Sequence, residues 1–152
     1  MAGDLCLVDS NFLIRWVQPD DANFPLIAAS LQKLEASGTI LCYVSQNLGE
    51  FWNALTRPAD RNGYGLTPER ADRRATEVEA RFRMLPDSPL VYHRWRKLLV
   101  NSRVSGAQVH DARLVASMHV YDVKRILTFN IKDFARFNDI EAVHPIHMIQ
   151  GR

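Results

Sequence analysis

Leu5-Cys6-Leu7-Val8-Asp9-Ser10-Asn11 runs an apolar stretch straight into a carboxylate, and Phe12-Leu13-Ile14 follows at once. Residues 5–8 are short, apolar and without helical period, which reads as a buried strand. Asp9-Ser10-Asn11 supplies capping residues for a helix to about residue 17. A buried carboxylate is costly unless it is paired, hydrogen-bonded or bound to a metal. Asp9 therefore needs a compensating partner from elsewhere in the chain.

Working outward, Pro19-Asp20-Asp21 ends the first helix, and a second is expected over 24–36, stopped by Ser37-Gly38. Residues 40–44 read as a second buried strand. Ser45 then caps a helix to about residue 56, with Leu48, Phe51, Trp52 and Leu55 as its apolar stripe. The Gly-containing stretch 59–66 reads as a mobile loop. Thr67-Pro68 looks like a cap and first turn, opening a helix to about residue 84. Further helices are expected over 91–101 and 109–120, a strand over 125–128, a short helix over 131–137 and a last strand over 141–144. Strands alternating with helices argue for an α/β fold with a mainly parallel sheet and helices on both faces. Parallel strands bury both faces, so 5–8 and 40–44 need not alternate in polarity.

The 152 residues suit one domain, expected to span 1–152, with an ordinary balance of 47% hydrophobic and 24% charged residues. No apolar run is long enough to cross a bilayer, and Met1-Ala2-Gly3-Asp4 lacks the basic and apolar regions of a secretion signal. Cys6 and Cys42 each sit in an apolar strand, as free thiols of a reducing cytoplasm would. A formal charge of +2 and a pI of about 8.7 are compatible with a polyanionic partner.

Several acids occupy comparable places. Asp9 follows the first strand, Glu50 lies in the helix after the second, Asp111 opens the helix near residue 109, and Asp133 follows the third strand closely. In parallel sheets ligands gather beyond the carboxyl ends of the strands. Clustered carboxylates repel unless a counter-charge intervenes, and oxygen-only ligands suit Mg²⁺ or Mn²⁺. Each acid also has a plainer reading. Asp9 and Asp111 serve helix N-termini. Asn130 and Asp133 are turn and cap residues. Glu50 falls on the wheel opposite the apolar stripe, beside Asn47 and Ala54, as a solvated glutamate.

Taken together, LVDSNFLI, SQNLGEFWNALTRP, QVHDARLVASM and ILTFNIKDFARF resemble the signature segments of the PIN domain, and more narrowly the VapC-type ribonuclease toxins of bacterial toxin–antitoxin pairs. The match runs in chain order over roughly residues 5–137. The resemblance implies a three-layer α/β/α sandwich whose acids meet at one end of the sheet. It also implies Mg²⁺- or Mn²⁺-dependent endoribonuclease activity leaving 5′-phosphate and 3′-hydroxyl ends, a cognate antitoxin, and a homodimer in the cytoplasm. Asp9, Glu50 and Asp111 match the family's first three acids. At the fourth position this chain has Asn130 where many members have aspartate, with Asp133 three residues later. Asp9, Glu50, Asp111, Asn130 and Asp133 are thus the candidate metal ligands, and the four acids among them the candidate catalytic set.

Arg15, Arg57, Arg61, Arg113 and Lys132 are candidates for drawing RNA to an acidic site. Glu69–Arg73, Glu77–Arg81 and Glu79–Arg83 have the spacing of surface ion pairs. Trp16 and Trp52 read as core residues, while Tyr64 in its loop is a candidate for base stacking. His110 and His119 lack the spacing of a zinc site and receive no catalytic role. Two other functions fit the same residues. An aspartyl phosphatase would use Asp9 as nucleophile, although Asn11 stands where such enzymes place a second aspartate. A non-catalytic module would bind RNA without metal-dependent turnover.

Overall fold

The computed structural model describes residues 4–150. Met1, Ala2 and Gly3, part of the reading that excludes a secretion signal, lie outside the described residues. The chain runs β1 (Leu5–Val8), α1 (Ser10–Trp16), α2 (Phe24–Ala36), β2 (Ile40–Tyr43), α3 (Ser45–Thr56), α4 (Pro68–Arg81), β3 (Arg83–Met84), α5 (Leu90–Asn101), α6 (Val109–Val120), β4 (Arg125–Leu127), β5 (Glu141–Val143) and α7 (Pro145–Ile149). Short 3-10 turns occupy Ala59–Arg61, Gly106–Gln108 and Ile131–Phe134.

The strands form one sheet in the order β3-β2-β1-β4-β5, and every described pairing is parallel. Alternate residues of β1 enter different cores. Cys6 and Val8 pack with Phe12, Leu13, Ile27, Leu31, Phe51 and Leu55, whereas Leu7 packs with Ala112, Val115, Met118 and Ile126. The sheet is therefore covered on both faces, α1 to α4 on one and α5 and α6 on the other, giving the α/β/α sandwich. That double burial is why β1 carries no polar alternation.

From β1 the chain builds outward through β2 to β3, then returns to β4 beside β1 and continues to β5. The order thus reverses between β1 and β4. Parallel strands splay their following segments to opposite faces at such a point and leave a crevice beyond the carboxyl ends. Asp9 and Thr128 are the first residues past β1 and β4.

Several local expectations are corrected. The helix expected to reach residue 84 stops at Arg81. Phe82 turns to extended backbone (φ −120°, ψ 150°) and buries its ring, which meets Trp16 edge-on at 5.0 Å. Residues 83–84 then pair with Cys42 and Tyr43 as the edge strand. None of the three i,i+4 ion pairs forms among the described residues. Arg81 instead pairs with Glu35 of α2, and Arg74 bonds Glu77 at 3.0 Å. Residues 59–66 are not a loose loop: the N–H groups of Tyr64, Gly65 and Leu66 donate to the carbonyls of Ala54, Arg57 and Leu55. Helix α7, absent from the expectation, packs against α2. Trp16 and Trp52 are partly buried against the first core as expected, and Tyr64 is exposed. Among the described residues no helix is long and apolar enough to cross a membrane.

Candidate active site

Asp9 caps α1 from the end of β1 and is only 8% exposed. Its amide donates to the Leu127 carbonyl at 2.9 Å, tying it to the end of β4. Its Oδ1 accepts the Ser10 N–H at 2.8 Å and its Oδ2 accepts the Thr128 hydroxyl at 2.7 Å. Thr128 is fully buried, and its Oγ1 also accepts the Asn130 N–H at 3.0 Å. The plain reading of Asp9 as a helix cap is correct, and the compensation its burial demands comes in part from these donors.

Glu50 is not the solvated glutamate of the helical wheel. It is half-buried between α3 and α1, where the Ser10 hydroxyl donates to Oε1 at 2.5 Å and the Gln46 amide to Oε2 at 3.3 Å. The face opposite the apolar stripe is itself covered, since Asn47 is 0% exposed. Asn47 Oδ1 accepts the Val44 N–H at 2.9 Å, so Asn47 caps α3 from within in place of the expected Ser45 cap. Its Nδ2 donates to Ser10 Oγ at 3.3 Å, which carries the support on to Glu50.

Asp111 sits half-buried in the first turn of α6. Gln46 reaches that turn from α3: its Nε2 donates to the His110 carbonyl at 2.8 Å, and its Oε1 accepts Arg113 Nη1 at 3.3 Å. The Trp95 indole donates to the Val109 carbonyl at 2.8 Å and fixes the same turn to α5. Asp133 is half-buried in the 3-10 turn that follows β4.

The carboxylates feel one another. Burial first, then Asp133, Asp9 and Glu50, push the Asp111 carboxyl up from 3.8 to about 7. Burial pushes Asp9 up to about 6, the Thr128 and Ser10 hydrogen bonds pull it back, and Glu50 and Asp133 add to the rise. Four acids from four segments thus share one negative field beyond β1 and β4. The field and the all-oxygen donor set suit a hard divalent cation. The side chains are not pre-arranged as a closed ligand shell: among the described residues no three His, Cys, Asp or Glu groups stand ready to hold one ion.

The basic candidates divide. The Arg15 guanidinium lies 4.3 Å above the Phe129 ring, next to Thr128 and Asn130, and forms no ion pair among the described residues. Lys132 is exposed in the turn that carries Asp133, and Arg113 is held at the rim by Gln46. Arg57 and Arg61 are not brought to the acids. They lie at and beyond the far end of α3, about 10 Å along the helix from Glu50, and Arg57 Nη2 is spent on the Asn62 carbonyl at 2.9 Å. Thr128, Asn47 and Gln46 were missed by the sequence reading. A threonine ending an apolar strand and an asparagine three residues before a key glutamate were the available signals.

The family model of the PIN domain matches residues 6–140. A sequence comparison with curated proteins finds no match. Among solved structures, VapBC2 from Rickettsia felis, bound to a DNA fragment of its promoter, aligns with a TM-score of 0.70 and 13% identity over 92% of this chain and 98% of that one. VapBC from Salmonella typhimurium, also bound to DNA, gives 0.67 and 18% over 95% and 99%. VapC20 from Mycobacterium tuberculosis, a toxin that cleaves the sarcin-ricin loop, gives 0.55 and 21% over 81% and 87%. At these identities the likeness is one of fold.

Proposed function

This chain belongs to the PIN domain family, and on that premise we propose that it is a Mg²⁺- or Mn²⁺-dependent endoribonuclease, the toxin of a toxin–antitoxin pair. The observation that carries the reading is the convergence of Asp9, Glu50, Asp111 and Asp133 at the point where the strand order reverses, with Asp111 raised to about 7 by burial and by the other three. Such a cluster is held at a cost in free energy, and a bound cation would relieve it.

Asp9, Glu50 and Asp111 would hold the metal, with Asp133 or Asn130 completing the set directly or through water. When bound, the ion would supply an activated water and charge to stabilise the leaving oxygen. Hydrolysis adds the water oxygen to phosphorus and breaks the bond to the 3′ oxygen, leaving a 5′-phosphate and a 3′-hydroxyl. The protein's own part is positional. Thr128 and Ser10 hold Asp9, and Ser10 and Gln46 hold Glu50, so these two carboxylates are fixed through a shared partner, Ser10. Arg15, Arg113 and Lys132 surround the acids and would draw phosphates towards them.

Aspartyl phosphatase chemistry fits less well, because Asn11 stands where such enzymes place a second aspartate, and its Oδ1 accepts the Phe129 N–H at 3.4 Å. The reading brings with it a cognate antitoxin that covers the acidic crevice, and a homodimer, which light scattering would detect. The decisive assay is cleavage of a total RNA pool with Mg²⁺ or Mn²⁺ by the native chain, Asp9→Asn and Asp111→Asn. Cleavage by the native chain alone supports the proposal; equal cleavage by all three at matched folding rejects it. Metal-independent RNA binding without turnover would establish the non-catalytic alternative.

A further inference from the structure

A cavity of about 380 Å³ opens between α5, the C-terminal part of α6 and the segment preceding β5. Helix α6 begins beside the acids and leads through residues 121–124 into the start of β4, so this cavity lies towards the other end of the sheet. His119, on its wall, is eight residues beyond Asp111, about 12 Å along the helix. Nothing in the nuclease reading uses it.

Its lining is cationic. Arg94, Lys97 and Asn101 fall three and four residues apart on α5 and line it together, and Arg136, from the segment before β5, lines it as well. Among the described residues none of Arg94, Lys97 and Arg136 is paired with a carboxylate. Two of the three are nonetheless fixed in place. Arg94 Nε donates to His119 Nδ1 at 3.0 Å, which leaves its two terminal nitrogens free. Arg136 Nη1 donates to the carbonyls of Ser102 and Arg103 at 3.4 and 3.2 Å. His119 Nε2 lies 2.7 Å from the Asp139 carboxylate and, among the described residues, makes no aligned hydrogen bond. Against three cations stands one lining carboxylate, that of Asp139.

Guanidinium forks and an ammonium converging on one space are the donor set of a phosphate group. The volume sits at the low end of the about 300–1,000 Å³ typical of ligand clefts and leaves room beyond a phosphate for a nucleoside. We propose that this cavity is a second, phosphate-binding site, separate from the acids, which takes a phosphorylated nucleotide either free or as part of an RNA strand. Arg94 and Arg136 provide the oriented donors, Lys97 adds charge at the mouth, and Asn101 is placed to bond the nucleoside. Only the RNA source rests on the nuclease reading.

The test uses the full chain carrying Asp111→Asn, with and without Lys97→Glu. The Lys97 side chain is exposed and has no hydrogen-bond or ion-pair partner among the described residues, so its replacement removes no such contact of the fold. NMR signals of the His119 ring are followed while AMP, inorganic phosphate and a single-stranded RNA oligomer are titrated in turn. Saturable shifts at His119 with AMP or phosphate, weakened at least fivefold by Lys97→Glu, support the site. If RNA binding also weakens and its salt slope falls by about one contact, the natural source is an RNA strand; if RNA binding is unchanged, it is a free nucleotide. Absence of shifts with all three ligands, or shifts indifferent to Lys97→Glu, overturns the proposal. The AMP and phosphate arms require no cleavage activity, so failure of the nuclease reading would leave their result standing.

Discussion

Asp111→Asn removes a charge that the folded chain holds at a cost. The rise of its carboxyl from 3.8 to about 7 corresponds to about 4 kcal/mol, at about 1.36 kcal/mol for each tenfold step in the proton equilibrium. Asp111 is only half-buried, and solvent screening reduces the recoverable part to about 1–2 kcal/mol. The sign follows from linkage. A carboxyl raised on folding binds its proton more tightly in the native state, so stability falls as pH climbs from about 4 to about 7. The asparagine variant escapes that loss. Without divalent metal it should be about 1–2 kcal/mol more stable than the native chain at pH 8, the gap narrowing through pH 6 and closing below pH 4. Urea denaturation at pH 8, 6 and 4 in EDTA measures it directly. Added Mg²⁺ should then stabilise the native chain more than the variant, because the ion loses one carboxylate. A variant less stable than the native chain at pH 8, or a gap independent of pH, would refute the account of a strained acid cluster.

Thr128→Val removes the buried hydroxyl from Asp9 Oδ2 and from the Asn130 N–H, at a cost of about 1–3 kcal/mol. The Asp9 carboxyl should rise above about 6; NMR titration that leaves it unmoved would contradict the role given to Thr128. Gly63→Ala places a methyl group 2.0 Å from the Arg57 carbonyl oxygen, so the backbone must shift, costing about 1–3 kcal/mol and lowering the melting temperature. Cys6 and Cys42 are buried free thiols pushed up to about 12, chiefly by burial. Both should resist alkylation at pH 8 until the chain unfolds, as mass spectrometry of labelled native and urea-treated protein would register.

Local pattern carried most of the fold. The apolar runs of β1 and β2, and the helices at Phe24–Ala36 and Val109–Val120, are where periodicity and capping residues place them. The alternation of these elements dictates parallel strands with helices on both faces. What local pattern could not express was competition from distant partners. Pro86 bars a helix from running past about residue 85, but the chain turns earlier, at Phe82, where the first core takes the ring and residues 83–84 pair with β2. Arg81 abandons Glu77 because Glu35 of another helix offers both carboxylate oxygens.

The site divides along the same line. Residue type and position past a strand end single out Asp9, and with it the demand for a partner. Whether that partner is near is a matter of strand order, since Asp9 and Thr128 are 119 positions apart in the chain and 2.7 Å apart in space. The wheel of α3 sends Glu50 to solvent because a wheel knows only one helix; the packing of α1 covers that face and supplies the Ser10 hydroxyl. Composition and spacing therefore determine which groups bear charge and where elements begin. Only the assembled sheet decides which charges meet, because electrostatic coupling depends on distance through space and on burial, and neither is a property of neighbouring residues.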